Sequence, residues 1–222
     1  MLKSFSWGLS VIFHPLLMAF YMLLLLLLIN PYLFGVSSVS DVGAKRTMLL
    51  VFLYTFFIPA ISITVMYFLG FIKNIDTPDR EERIGPYLVT GMLYLWVYYN
   101  FYKTGQLPTA YVSFLLGIVI ALFLAFFINI FSKISIHTVG MGGLLAMTII
   151  SFGWFSYGSF TLPSPIFGIT EINMISLIIT TLILAGMVGT ARLLLKAHEP
   201  SDIYGGYLVG FTSQFFAFLY IF

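Results

Sequence analysis

The chain contains no cysteine, and only 8% of its 222 residues are charged. Without cysteine, disulfide bonds, thiolate nucleophiles and zinc–thiolate sites are all excluded. A soluble domain carries roughly 25% charged residues, so this chain cannot cover its surface with groups that water solvates. The net charge is only +2 and no basic run is present, which argues against a nucleic-acid partner. We therefore expect an integral membrane protein.

Seven apolar segments run along the chain, and most have the roughly 20 residues that a helix needs to cross a bilayer. Their length favours helices over the alternating strands of roughly 10 residues that build a membrane barrel. The third segment is the weakest, because it is short and rich in tyrosine. The first is too long for the core of a signal peptide, so we expect a retained span. The segments are residues 7–29, 47–71, 87–102, 109–131, 138–157, 173–195 and 203–222.

These segments predict an all-α fold, a polytopic transmembrane helical bundle of six or seven spans. The length suggests a single domain over residues 1–222. Within it, residues 1–72 provide the N-terminal spans and residues 73–210 form the core that carries the chemistry. The uncharged link 158–170, which contains Pro163 and Pro165, is predicted to be a loop without chemistry.

Three links between the segments hold most of the polar residues suited to chemistry. They are residues 73–86, 132–137 and 192–202. Two segments separate the first link from the second, and two more separate the second from the third. Because an even number of crossings returns the chain to the same side, all three links are expected at one membrane face, provided that segment 87–102 crosses. Every Lys and Arg lies in a link or at a segment end, as the cost of charge in hydrocarbon requires.

The polar residues of these links fall at defined spacings. In the first link six residues lie between two basic residues, and in the second link one residue lies between a serine and a histidine. In the third, an arginine precedes a histidine by five intervening residues, and an aspartate follows after three more. In chain order these residues are Lys73 and Arg80, then Ser135, Ile136 and His137, then Arg192, His198 and Asp202.

This order resembles the three-part signature of the type 2 phosphatidic acid phosphatase superfamily. That signature reads Lys-x6-Arg-Pro, then Pro-Ser-Gly-His, then Ser-Arg-x5-His-x3-Asp. The third part is matched at the correct spacing, with Ala191 replacing the leading serine. The second part has Ile134 and Ile136 in place of proline and glycine, and the first has Glu81 in place of proline. The resemblance extends over residues 73–210.

The resemblance implies a membrane-embedded phosphatase that needs no metal or other cofactor. His198 is expected to attack phosphorus and form a phosphohistidine, with Asp202 orienting it and His137 protonating the leaving group. A phosphate monoester carries about −1.5 to −2 charges, which cationic side chains and hydrogen-bond donors can balance. The expected phosphate-binding residues are Lys73, Arg80, Ser135, Ile136 through its backbone N–H, and Arg192.

The expected partners are a lipid phosphate or pyrophosphate substrate and the lipid bilayer itself. The resemblance suggests the cytoplasmic membrane of a bacterium, with the active site facing outward. The distribution of basic residues between the two faces is neutral on this orientation. The sequence carries no indication of the oligomeric state.

Other interpretations of the same residues stay open. The replacements Glu81, Ile134 and Ile136 motivate a weakly active or inactive relative that binds or transports lipid phosphates. The vanadium-dependent haloperoxidases of the superfamily rank lower, because their resemblance implies a soluble setting. His14, which precedes Pro15, is interpreted as a helix-packing residue rather than a functional one. A metal site built from His198 and its acidic neighbours is disfavoured, because their spacing is not distinctive.

Overall fold

Helices dominate the computed structural model, which describes residues 2–164 and 168–222. The described residues form nine α-helices and one β-hairpin, and each of the seven predicted segments is confirmed as helical. Two of the segments are interrupted, so that each contributes two helices. The helices are α1 (Leu2–Ile12), α2 (Met18–Ile29), α3 (Val42–Phe52), α4 (Ile58–Phe68), α5 (Ile84–Thr104), α6 (Thr109–Phe131), α7 (Ile136–Trp154), α8 (Met174–Leu194) and α9 (Pro200–Ile221).

Five stretches of helix within the described residues are long and apolar enough to cross a membrane. The chain is thus nearly all-α and compatible with an integral membrane protein. Helices α5 and α9 are as long as the others but less apolar; α5 packs on α6, and α9 packs between α6 and α7. The five stretches are Leu2–Ile29, Val42–Phe68, Thr109–Phe131, Ile136–Trp154 and Met174–Leu194.

Proline explains both interruptions. Pro15 disfavours helical backbone at the preceding residue, and His14 is extended there (ψ 136°), which ends α1 before the 3₁₀ turn Pro15–Leu17. Pro59 has no N–H for the carbonyl of Thr55, and the helix widens into the π turn Leu53–Phe57. The Tyr94 hydroxyl donates to that free carbonyl (2.7 Å), which ties α5 to this break.

Helices α7 and α9 run side by side in backbone contact. A Cβ at Gly206 would lie 2.7 Å from the carbonyl oxygen of Ser135, and one at Gly210 would overlap the carbonyl of Val139 one turn further along. This small-xxx-small spacing lets two helices approach as closely as their backbones allow. The contact brings the N-terminal ends of both helices together, and these ends carry Ser135 and Asp202.

The predicted loop at 158–170 is instead part of an antiparallel hairpin of β1 (Ser159–Ser164) and β2 (Gly168–Asn173). Residues 165–167 of that prediction lie outside the described residues. Proline in the segment argued against a strand, but both strands of a two-stranded hairpin are edges, where proline is tolerated. Phe160 packs against Ile29 and Met174, so the hairpin joins the end of α2 to the start of α8.

We predict that Gly210→Ala destabilises the protein by about 1–3 kcal/mol, because a methyl group there forces the α7 and α9 backbones apart. Gly205→Ala is the matched control, since a Cβ at Gly205 meets nothing within 4 Å. Thermal unfolding in detergent measures both variants. Equal unfolding midpoints for the two would contradict the close helix contact.

Candidate functional site

The three polar links contact one another through backbone carbonyls. The Arg83 guanidinium, from the first link, donates through Nη1 to the carbonyl oxygen of Ile134 in the second (3.2 Å). The backbone N–H of Ser135 donates to the carbonyl oxygen of Asp202 (3.2 Å), which joins the second link to the third. Parts of all three links therefore lie together at one end of the helices.

A buried histidine–aspartate pair lies at the centre of this cluster. Nδ1 of His198 is 3.1 Å from Oδ2 of Asp202, and their side chains are 2% and 8% exposed. Pro200 begins α9, and Asp202 sits in its first turn, where its carboxylate also accepts the N–H of Glu199 (3.2 Å). The capping interaction fixes the carboxylate, which in turn fixes the orientation of the imidazole. With Nδ1 bound, Nε2 is the ring atom available for chemistry.

His198 is neutral near pH 7. Burial lowers the pKa of His198 to about 4; the hydrogen bond to Asp202 opposes this shift, and the positive charges of Arg83 and Arg192 add to it. A neutral ring whose Nδ1–H donates a hydrogen bond to a carboxylate has a lone pair on Nε2. The environment therefore prepares His198 as a nucleophile or a base rather than as a cation.

Several polar atoms around this pair are buried without a hydrogen-bond partner among the described residues. They include Oγ of Ser135, Nε of Arg192 and Nδ1 of His137. An unpaired buried polar group costs about 1–3 kcal/mol, so a group of them is unusual unless a ligand satisfies them. Arg192 and His137 both contact Ser10, and the backbone of Ser135 binds that of Asp202, so these groups lie in one region of the structure.

The residues predicted in the first link are not brought into this cluster. Lys73 is exposed, and Arg80 is exposed with its Nη1 donating to the carbonyl oxygen of Phe131 (2.7 Å). The backbone of Arg80 is held there as well, because Asn129 donates to its carbonyl (2.8 Å). Both cations predicted from the first link therefore lie at the surface of the loop in the structure.

Arg83 is the cation of the first link that reaches this cluster. It is buried, and its Nε donates to the carbonyl of Thr77 (2.8 Å), so the guanidinium is fixed where its positive charge acts on His198. The sequence alone predicts no role for Arg83. The signal that could have identified it is its position directly before α5, which begins at Ile84, where packing buries a side chain.

The second link leads into α7 and places its predicted residues at the start of that helix. Ser135 is fully buried at the start of α7, and His137 is half-buried one residue into that helix. Ile136, whose backbone N–H was expected at the phosphate, is the first residue of α7, where helix N–H groups have no partner within the helix. Its bulk does not prevent the helix from starting there.

The N-terminal helix also reaches the cluster, which the sequence interpretation did not anticipate. Arg192 donates through Nη1 to the hydroxyl of Ser10 (3.3 Å), and Nε2 of His137 lies 3.2 Å from the carbonyl oxygen of Ser10. The rings of His14 and His137 meet edge to face with centroids 5.9 Å apart. His14 thus packs against His137, a residue of the site.

An open cleft of about 680 Å³ reaches the His198–Asp202 pair from outside. Lys133 and Lys196 line it together with Glu199 and Ser201, so its walls carry charges of both signs near the buried pair. Lys196 adopts a left-handed backbone (φ 54°) at the end of α8, a position that glycine usually fills. The cleft gives water and anions a route to the imidazole.

The arrangement is suited to a tetrahedral oxyanion. The buried guanidinium of Arg83, the half-buried one of Arg192 and a serine hydroxyl can bind its oxygens. The helix start adds backbone donors, and a neutral imidazole can attack the central atom. Within residues 2–164 and 168–222, no group of three or more His, Asp or Glu side chains is placed to hold a metal ion.

Comparison with known proteins gives no match: no family model, no curated protein and no solved structure is significantly similar to this chain.

We predict that Arg83→Gln weakens the binding of inorganic phosphate by about 10-fold or more, because a charged hydrogen-bond donor is lost from the buried cluster. Arg80→Gln, three residues away, removes an equal charge at the surface and should change the affinity by less than about twofold. Isothermal titration calorimetry in detergent measures both. A larger loss for Arg80→Gln would restore Arg80 to the site and remove Arg83 from it.

We also predict that the His198 ring titrates near pH 4 instead of near 6.5. Because Arg83 contributes to this lowered pKa, Arg83→Gln should move the titration to higher pH. The chain has three histidines, so ¹⁵N-histidine NMR with a His198→Ala spectrum for assignment can follow the ring directly. Lys103→Gln, with the same charge change at the end of α5, should leave the titration in place. A wild-type midpoint near 6.5 would contradict the buried, cation-flanked environment.

Proposed function

We propose that this chain is a membrane-embedded phosphatase that hydrolyses a lipid phosphate or pyrophosphate through a phosphohistidine intermediate, without a metal. The proposal assigns the chain to the type 2 phosphatidic acid phosphatase superfamily, which its polar spacings resemble. His198 is the nucleophile, Asp202 its orienting carboxylate and His137 the general acid. Arg83, Ser135, Arg192 and the N–H groups at the start of α7 bind the phosphate.

The observation that carries the proposal is the buried His198–Asp202 pair with unpaired buried donors around it. Nδ1 of His198 is bound to Asp202 at 3.1 Å, which leaves Nε2 for attack. The hydroxyl of Ser135 and Nε of Arg192 have no partner among the described residues. A phosphate would satisfy both while its phosphorus faces the imidazole.

The reaction proceeds in two displacements. Nε2 of His198 attacks phosphorus, the bond from phosphorus to the leaving oxygen breaks, and that oxygen takes a proton from His137. The lipid product departs as an alcohol from a monophosphate, or as a lipid monophosphate from a pyrophosphate. A water then attacks phosphorus, the P–N bond breaks, one proton of the water returns to His137, and inorganic phosphate leaves. Asp202 stabilises the positive charge that His198 carries in the intermediate.

Electrostatics supply most of the rate enhancement in this proposal. Phosphoryl transfer depends chiefly on positioning and on stabilising charge at the equatorial oxygens. The Arg83 and Arg192 guanidinium groups are in place before substrate binds, because protein oxygens already hold each of them. Burial lowers the pKa of His198 most and the two arginines add to the shift, so the same two charges bind the anion and help to keep the nucleophile neutral.

The membrane arrangement follows from the same proposal. Six or seven of the helical segments cross the bilayer, and the three catalytic links lie at one membrane face. That face is the outer one of a bacterial cytoplasmic membrane, where a lipid can present its phosphate while its tail stays in hydrocarbon. The less apolar helices α5 and α9 cross as part of the bundle, because each packs against an apolar neighbour.

A relative that binds or transports lipid phosphates without hydrolysing them is the second candidate. It is favoured by the exposure of Lys73 and Arg80, which leaves the guanidinium groups of Arg83 and Arg192 where the family signature supplies a third cation. Fewer cations stabilise the transition state less, although they still suffice to bind an anion.

His198→Ala should lower phosphate release from a lipid phosphate by about 10³-fold or more, because the nucleophile is gone. Ser201→Ala, which removes an exposed hydroxyl in the first turn of α9, is the matched control and should keep full turnover. A panel of lipid monophosphates and pyrophosphates is assayed with chelator and with orthovanadate. A wild-type protein that binds lipid phosphate but releases none would favour the second candidate, and unchanged turnover in His198→Ala would remove the nucleophile assignment.

A further inference from the structure

The end of α1 offers the site a backbone carbonyl that its own helix does not use. In an uninterrupted helix the carbonyl of Ser10 would accept the N–H of the residue four positions later, which is His14. Here the N–H of His14 donates to the carbonyl of Val11 instead (3.3 Å). Pro15 has no N–H for the Val11 carbonyl four positions earlier, so this carbonyl accepts the N–H of His14 instead. The Ser10 carbonyl is thereby free, and Nε2 of His137 lies 3.2 Å from it.

This contact defines which nitrogen of His137 is available to substrate. A carbonyl only accepts hydrogen bonds, so Nε2 carries a hydrogen in the contact. Nδ1 is the other nitrogen, and it is buried with no partner among the described residues. When the ring is protonated, Nδ1–H is the free donor.

The hydroxyl of Ser10 holds a second residue of the site, Arg192. It donates to the carbonyl of Ser6 (3.0 Å) and accepts from Nη1 of Arg192 (3.3 Å). Because its one hydrogen is committed to Ser6, a lone pair faces Arg192. Nε of Arg192 has no partner among the described residues, so the bond to Ser10 positions the guanidinium without occupying this donor.

We propose that Ser10 is a positioning residue of the active site, and that the break at Pro15 creates this role. The carbonyl of Ser10 holds His137 with Nδ1 directed to the leaving oxygen. The hydroxyl of Ser10 holds Arg192 in position to bind the phosphate. The proposal rests on the proposed phosphatase function. It adds α1, which lies outside the signature-bearing residues 73–210, to the machinery of the reaction.

Pro15→Ala tests the carbonyl. Alanine lets the helix continue, so the His14 N–H can take the Ser10 carbonyl and release His137. Turnover of a dialkylglycerol phosphate, whose alkoxide needs a proton to leave, should fall about 10-fold or more. Turnover of p-nitrophenyl phosphate, whose phenolate leaves without one, should change by less than about twofold. Pro31→Ala, at the 3₁₀ turn Pro31–Phe34, is the matched control and should alter neither.

Ser10→Ala tests the hydroxyl. Loss of the bond to Arg192 should weaken orthovanadate binding and raise KM by about 10-fold, with a much smaller effect on kcat. Ser6→Ala is the matched control one turn earlier. The Ser6 hydroxyl is buried without a partner among the described residues, while the carbonyl that Ser10 uses remains in the variant. Thermal unfolding of all four variants is recorded beside the kinetics.

The outcomes separate this inference from the function on which it rests. Equal losses on both esters in Pro15→Ala, together with equal vanadate affinities in Ser10→Ala and Ser6→Ala, would overturn the role of Ser10 and leave the phosphatase intact. If Pro15→Ala does not fold, the Ser10 and Ser6 pair decides the question alone. A wild-type protein that hydrolyses neither ester and does not bind orthovanadate would remove the proposed function, and the role of Ser10 with it.

Discussion

The backbone contact between α7 and α9 is the constraint on which the rest of the site depends. Gly206 and Gly210 let α9 approach the carbonyls of Ser135 and Val139 more closely than any side chain would permit. At that distance the N–H of Ser135 reaches the carbonyl of Asp202, and the two polar links become one unit. The side chains of Glu199 and Asp202 cap the start of α9, whereas Ser135 at the start of α7 makes no side-chain capping hydrogen bond.

The cluster held by this contact is costly for the folded state. It buries the Arg83 guanidinium, the His198 imidazole and the Asp202 carboxylate close together, beside the half-buried Arg192 and His137, and it leaves several polar atoms unpaired within the described residues. Such groups are destabilising by themselves and persist where surrounding structure over-determines them. The compensation comes from neutral His198, from the carboxylate of Asp202 and from carbonyls of the loops that fix Arg83. An anion would add the missing charge balance.

The interrupted first segment links membrane architecture to chemistry. A proline in a membrane helix frees carbonyls that must find donors elsewhere, because hydrocarbon offers none. At Thr55 the donor is the hydroxyl of Tyr94, which stabilises packing. At Ser10 it is the ring of His137, which belongs to the site. The same physical requirement therefore serves the fold at one break and the candidate active site at the other.

The sequence by itself determined the helical fold, because a chain with 8% charged residues and long apolar runs can satisfy its backbone in lipid only within helices. The resemblance that its spacings carry also predicted the His198–Asp202 pair, whose side chains are 3.1 Å apart in the structure. Only the tertiary structure decided that Arg83 and not Arg80 is buried, that Ser10 of α1 reaches His137, and that residues near 160 form a hairpin. Spacing along the chain fixes neighbours within one element, whereas the direction of a side chain between elements depends on how the helices pack.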